Sequence, residues 1–200
     1  MSNKSKRLKI KRFSHNLRIV MNVFFWASIV VAIGSVIAAI VINLVSDSHF
    51  LLSDKDIGHV GFSLDGLIKY NLNDSALQGI NMKNIYFVIF IMSAFISFLI
   101  IPVLKQIVLV LKSVEEDKPF AKENAKRISI IGIVFILGSF IIPAFKVFVA
   151  MTMIDTLRIQ NVTTNYSIDI ISTLAGLMMF ILSGIFMYGS YLQYEYDETV

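Results

Sequence analysis

The residues able to do chemistry in this chain fall into three groups, and two of them lead away from a reaction centre. Asp47, His49, Asp54, Asp56 and His59 share one loop. Carboxylates and imidazoles can ligate zinc or calcium, but these spacings match neither metal's ligand pattern. The expectation is a solvated loop, with no metal and no cofactor. The second group is a single residue, Lys146, inside a long apolar run. Charges within a membrane span are costly to bury and mark functional sites by default. Lys146, however, lies about 27 Å from Ile128 along a helix rising 1.5 Å per residue. That is a boundary position, where a lysine extends its ammonium into the headgroups. The apolar runs hold no Asp, Glu or His, which disfavours an intramembrane aspartyl or metal-dependent protease and a carboxylate proton relay. There is no Gly-rich phosphate loop, no Ser–His pairing and no cysteine nucleophile. We expect a protein that is not an enzyme.

The third group is the charged stretch Lys105–Gly132, which lies between two apolar runs and has internal order. Leu104, Ile107, Val108 and Leu111 fall at i, i+3, i+4 and i+7, so a helix continues beyond the apolar run. Glu115, Glu116 and Asp117 close it, and Lys118-Pro119 breaks it. Asp117 is the expected N-cap of the next helix, with Pro119 in its first turn. There Glu123 and Arg127 are four apart and opposite in sign. Phe120 is the one large apolar residue on this polar turn. The stretch reads either as a solvated helical hairpin or as a docking surface. On the second reading Phe120, Lys122, Glu123, Asn124, Lys126, Arg127 and, from the chain's acidic end, Asp197 would contact a partner.

The elements that carry these residues follow from hydropathy. The chain is 56% hydrophobic and 16% charged over 200 residues, too apolar for an ordinary soluble domain. A hydrocarbon core needs about 20 helical residues, and four runs reach that length. We expect a single membrane domain, all-α: an integral membrane four-helix bundle with a small extracytoplasmic β-hairpin. Its parts are a basic tail (1–18), span 1 (19–45), an outer loop (46–83) and span 2 (84–111). An inner loop (112–127), span 3 (128–154), a second outer loop (155–169), span 4 (170–192) and an acidic tail (193–200) complete it. The apolar core of a cleavable leader is only about 7–15 residues long, so the first run reads as a span. Gly34/Ala38 and Ser93/Ser97 are small residues four apart, fit for close helix approach. Pro102 and Pro143 should kink spans 2 and 3.

Seven bases and no acid lie between Met1 and Arg18: Lys4, Lys6, Arg7, Lys9, Lys11, Arg12 and Arg18. Beside an apolar run, such a segment anchors on an anionic inner leaflet rather than on nucleic acid. The inner loop adds five bases, against three and one in the outer loops. That asymmetry puts both termini in the cytoplasm. In the first outer loop, His59–Leu72 alternates apolar and polar residues around Asp65-Gly66. A three-residue turn would align Val60, Phe62 and Leu64 with Leu72, Tyr70 and Ile68, a hairpin that must rest on something to be stable. Asn73 and Asn161 fit the glycosylation acceptor pattern, which is meaningless in a bacterial protein. Tyr188, Tyr191 and Tyr194 form an aromatic stripe suited to the inner interface. The acids that follow are either solvated or paired with the bases of the inner loop.

The segment Lys118-Pro119-Phe120-Ala121-Lys122-Glu123-Asn124-Ala125-Lys126-Arg127-Ile128, with Ile131-Gly132, resembles the inner-loop signature of the bacterial domain-of-unknown-function family 2975. The ending Tyr188-Gly189-Ser190-Tyr191-Leu192-Gln193-Tyr194-Glu195-Tyr196-Asp197-Glu198-Thr199-Val200 resembles its terminal block, with Glu198 where the family usually has leucine. The resemblance implies a four-span protein of the bacterial cytoplasmic membrane. It also implies, through the family's frequent gene neighbour, a small cytoplasmic helix-turn-helix regulator as partner. It carries no catalytic residue. Two functions stay open, a regulatory or scaffold partner of a cytoplasmic protein and a component of a transport or resistance system. A homo-oligomer is compatible with both.

Overall fold

The computed structural model describes residues 3–52, 61–64, 68–71 and 79–199. Four long helices carry most of it: α1 (Asn3–Leu44), α2 (Lys83–Glu115), α3 (Lys122–Thr156) and α4 (Ile170–Thr199). Each is long and apolar enough to cross a membrane, and no more than 28% of its most apolar stretch is buried within the protein. Their apolar side chains therefore point outward, the reverse of a soluble bundle, whose apolar stripe faces inward. Two short strands, β1 (Gly61–Leu64) and β2 (Ile68–Asn71), pair antiparallel. Gly61 stands opposite Asn71, Phe62 opposite Tyr70, Ser63 opposite Lys69 and Leu64 opposite Ile68.

Helix boundaries depart from the expected ones at both ends of the chain. The basic segment is not a separate tail but the opening turns of α1. Residues 3–18 contain neither Gly nor Pro and are rich in Lys, Arg and Leu, all good helix formers. The acidic segment is likewise the close of α4 rather than a tail. Helices α2 and α3 run on through Pro102 and Pro143.

The chain forms two compact units, and each takes pieces of several helices. In the unit built from residues 33–94 and 144–166, the core is Ile80, Ile85 and Leu157, with Leu52, Met82, Met153 and Ile159 packed around it. Leu51 and Asn81 form an isolated bridge, with Leu52 N donating to Ile80 O (3.1 Å) and Met82 N to Phe50 O (3.0 Å). Asn81 Oδ1 accepts from Lys83 N at 2.9 Å and so caps the start of α2. Lys83 Nζ donates to Val45 O at the end of α1 (2.9 Å) and to Asp47 Oδ1 (2.7 Å). Thus Asp47 is engaged structurally, while Asp54, Asp56 and His59 of the suspected ligand group lie outside the described residues. Among the described residues no cluster of metal-type ligands forms. Val60, Leu72 and Asn73 also lie outside them; Asn161 is described, in a left-handed conformation at φ 60°.

Close helix contact in this unit is offset from the expected pair. A Cβ on Gly34 would meet nothing within 4 Å. One residue on, Ser35 and Ala39 are buried, and Ser35 Oγ donates to Ser93 Oγ at 3.0 Å. Small-residue spacing identified the helices correctly but the wrong face of α1.

The other unit comprises residues 1–32, 95–143 and 167–200. Here α3 and α4 approach backbone to backbone: a Cβ on Gly132 would lie 2.9 Å from Gly176 O, and one on Gly176 would lie 2.6 Å from Ile136 Cγ1. Two hydroxyls lock the register. Ser183 Oγ donates to Ala125 O (2.7 Å), and Thr173 Oγ1 meets Ser139 Oγ (2.9 Å), which donates in turn to Ile136 O (2.7 Å). Asp169 caps α4, with Oδ1 accepting from Ser172 N (3.1 Å) and Oδ2 from Ser172 Oγ (2.6 Å). These contacts fix where the last turns of α4 stand relative to the first turns of α3.

Candidate functional site

A second group of polar contacts in this unit lies at the connection between α2 and α3. Lys118 N donates to Ser113 O (2.9 Å) and Asp117 N to Val114 O (3.2 Å), while Asp117 adopts φ 60°. These are the paired bonds of a helix terminated by a left-handed residue. Aspartate tolerates that conformation better than most side chains, and Pro119 two residues later prevents the helix from continuing. Asp117 therefore ends α2 and does not cap α3, which begins only at Lys122.

Asn124 holds the turn closed. It is completely buried, and its amide group donates to Ser113 Oγ and to Pro119 O (2.9 Å). Its Oδ1 accepts from Arg127 Nη1 (2.8 Å), which also reaches Leu109 O (3.2 Å). Ser113 Oγ in turn donates to Val110 O (2.8 Å). One asparagine thus joins the last turns of α2, the carbonyls of the connection and the first turn of α3. Arg127, expected to pair with Glu123, is spent on this network instead. Two acceptors close to its own helix start, Leu109 O and the buried Asn124 Oδ1, hold the half-buried guanidinium, while Glu123 stays exposed.

On the other side of the connection lies an electrostatic contact that the sequence reading did not foresee. Lys11 Nζ sits 2.5 Å from Asp117 Oδ2, and Arg18 Nε donates to Glu115 Oε1 at 2.6 Å. His15 Nδ1 lies 3.4 Å from Glu115 Oε2. Lys11, His15 and Arg18 fall at i, i+4 and i+7, one face of α1, and Ser14 on that face is buried. The signal was present in that spacing and in the acidic trio Glu115–Asp117. A basic segment beside a span reads first as a lipid anchor, which hides that spacing. Lys6, Lys9 and Arg12 remain exposed.

Facing the turn, the last turns of α4 leave an open cleft of about 610 Å³. Lys118, Phe120, Ala121 and Lys122 line one wall, and Met187, Ser190, Tyr191, Gln193 and Tyr194 the other. Phe120 forms its floor: the ring packs on Phe186 at 5.4 Å between centroids and covers Gly189, where a Cβ would lie 2.8 Å from the ring. Part of the ring, 42% of the residue, stays exposed. Phe120→Ala should cost roughly 1–3 kcal/mol, below the ~3–5 of a deep core phenylalanine. It should speed protease cleavage of the turn in inside-out vesicles, and an unchanged rate would mean that the ring does not hold the turn to α4.

The proposed contact residues thus separate. Lys122, Glu123 and Lys126 are exposed on the first turns of α3, and Phe120 is half in the cleft. Asn124 and Arg127 are committed to the turn itself. The side chain of Asp197 lies outside the described ones. Among the described residues Glu115 and Asp117, of α2 and its connection, pair with the bases of α1.

A family model described as protein of unknown function (DUF2975) matches residues 71–200. The match takes in α2, α3 and α4, with the Asn124 turn and both walls of the cleft. No curated protein and no solved structure matches the chain.

Proposed function

The chain belongs to the DUF2975 family, and from that premise we propose a non-enzymatic, multi-pass protein of the bacterial cytoplasmic membrane that presents the α2–α3 connection to a soluble cytoplasmic partner. Both termini and the connection face the cytoplasm in this reading, and the β1–β2 hairpin faces out. The Lys and Arg asymmetry of the loops supports that orientation. The partner we favour is a small helix-turn-helix regulator, sequestered at or released from the membrane.

One observation carries the reading. Lys122, Glu123 and Lys126 stand exposed on a helix start whose geometry is fixed by a fully buried asparagine. A merely solvated loop has no need of a buried polar network, whereas a surface that must be recognised gains from being ordered beforehand. Arg127 leaves the contact surface on this account, because its guanidinium is already engaged.

Two measurements test the proposal. The chain contains no cysteine, so single substitutions report topology directly. Lys69→Cys should react with an impermeant thiol reagent on intact cells, and Lys122→Cys only after lysis. The reverse pattern would overturn the orientation. Charge reversal at Lys122 and Lys126 together should then abolish capture of the cytoplasmic partner while leaving insertion and thermal stability intact. It should also change transcription of neighbouring genes as deletion of the whole protein does. If capture is unchanged, or deletion alters solute export and not transcription, the transport reading replaces this one.

A further inference from the structure

We infer that the cleft between Phe120 and the last turns of α4 is a binding site for the headgroup of an anionic phospholipid of the inner leaflet. The inference rests on the orientation proposed above and on nothing else in that reading. Its first support is depth. With Ile170 at the outer edge, Met187 lies about 26 Å and Tyr194 about 36 Å along α4 at 1.5 Å per residue. The hydrocarbon core is about 30 Å thick, so the cleft straddles its inner boundary, where glycerol and phosphate lie.

The second support is the chemistry of the lining. Phe120 and Met187 are apolar, Ser190 and Tyr191 carry hydroxyls, and Lys118 and Lys122 supply two ammonium groups. Neither lysine makes an ion pair or a side-chain hydrogen bond among the described residues, and both are exposed. They contrast with Lys11 and Arg18 of the same unit, which are neutralised by Asp117 and Glu115. The two ammonium groups are the charged donors of the cleft lining. Their charge repels a cation and a bare amine, and it suits one phosphate whose ester chain runs down along Phe120. A volume of about 610 Å³ accommodates such a headgroup with its glycerol.

The test uses the full chain in detergent, with bound lipid counted by native mass spectrometry after exposure to phosphatidylglycerol or phosphatidylcholine. Wild type should retain phosphatidylglycerol in preference. Lys118→Gln should weaken retention about fivefold, the effect of removing one base at a membrane surface. Ser190→Phe should abolish it by filling the cleft without changing charge. Neutralising the exposed bases Lys6, Lys9 and Arg12 to Gln together removes more charge elsewhere and should leave this retained lipid in place. Neither cleft variant touches Lys126, and Lys122 is kept, so partner capture reports separately. Unchanged retention in Lys118→Gln and Ser190→Phe overturns the site. Loss in the Lys6, Lys9 and Arg12 variant alone assigns the lipid to α1 and overturns it too. Equal retention of glycerol phosphate would make this a solute site, not a lipid site. Loss of partner capture in Ser190→Phe with lipid unchanged would make it a protein-docking surface.

Discussion

Replacing Asn124 by alanine is expected to lower stability by about 3 kcal/mol, several times the effect of any exposed substitution on the same turn. The side chain is completely buried and serves Ser113, Pro119 and Arg127 at once. Alanine leaves a carbonyl and a hydroxyl without their donor and a guanidinium without one acceptor. Each orphaned buried group costs about 1–3 kcal/mol, partly relieved here because water can reach the edge of the turn. Asn124→Asp retains the acceptor for Arg127 but sets a carboxylate against the Pro119 carbonyl with no proton between them, so it should do no better. Lys122→Ala, two residues away and exposed, should stay within about 0.5 kcal/mol of wild type. Thermal unfolding in detergent gives the ranking. Protease cleavage between Asp117 and Ala121 in inside-out vesicles locates the damage. If Asn124→Ala is as stable as Lys122→Ala, the turn is held by the backbone bonds ending α2, and the asparagine is incidental.

How much of this was legible in the sequence depends on which interaction was being read. Four helices long and apolar enough to cross a membrane, and membership of the DUF2975 family, follow from run length and two short motifs. Both signals are local in the chain. The position of Asp117 was misread because the same residue type favours two opposite ends of a helix. A side chain that caps by accepting N–H bonds is also one that tolerates a left-handed φ. Only the start of α3 at Lys122 decides between them. Asn124 reads in the sequence as one partner-contact residue among several on an exposed helix start. Its burial depends on Ser113 and on the Pro119 carbonyl, which meet it only after the chain has turned. The ion pairs of Lys11 and Arg18 join residues about a hundred positions apart, beyond any periodicity argument. The cleft was invisible for a similar reason, although Phe120 and the tyrosine stripe were each noticed separately. Charge content marked the region, and the tertiary register decided which charges are spent on the fold.

That register is most exposed to substitution at Gly176. Gly176→Ala is expected to destabilise the protein by about 1–3 kcal/mol, the range for overpacking a close contact, even though alanine is the better helix former by about 1 kcal/mol. A Cβ there would lie 2.6 Å from Ile136 Cγ1, 2.9 Å from Gly132 O and 3.2 Å from Ile136 N. Two of those three atoms are backbone, so a rotamer change cannot relieve the contact, and α4 must move away from α3. Gly184, two turns along the same helix, supplies the internal control, because a Cβ there would meet nothing within 4 Å. Gly184→Ala should be neutral or slightly stabilising through propensity alone. In lipid, close backbone approach supplies the packing that hydrophobic burial supplies in water, so losing it should spread. The Ser183–Ala125 and Thr173–Ser139 bonds lie on the same α3–α4 seam. The Phe120–Gly189 contact lies further along α4 and closes the cleft floor. Gly176→Ala should therefore also increase protease access to the connection, although the substitution lies about 20 Å from Gly189 along the helix at 1.5 Å per residue. Equal melting temperatures for Gly176→Ala and Gly184→Ala would mean that α3 and α4 do not meet at these glycines. Destabilisation without any change at the connection would mean that the seam and the turn are held independently.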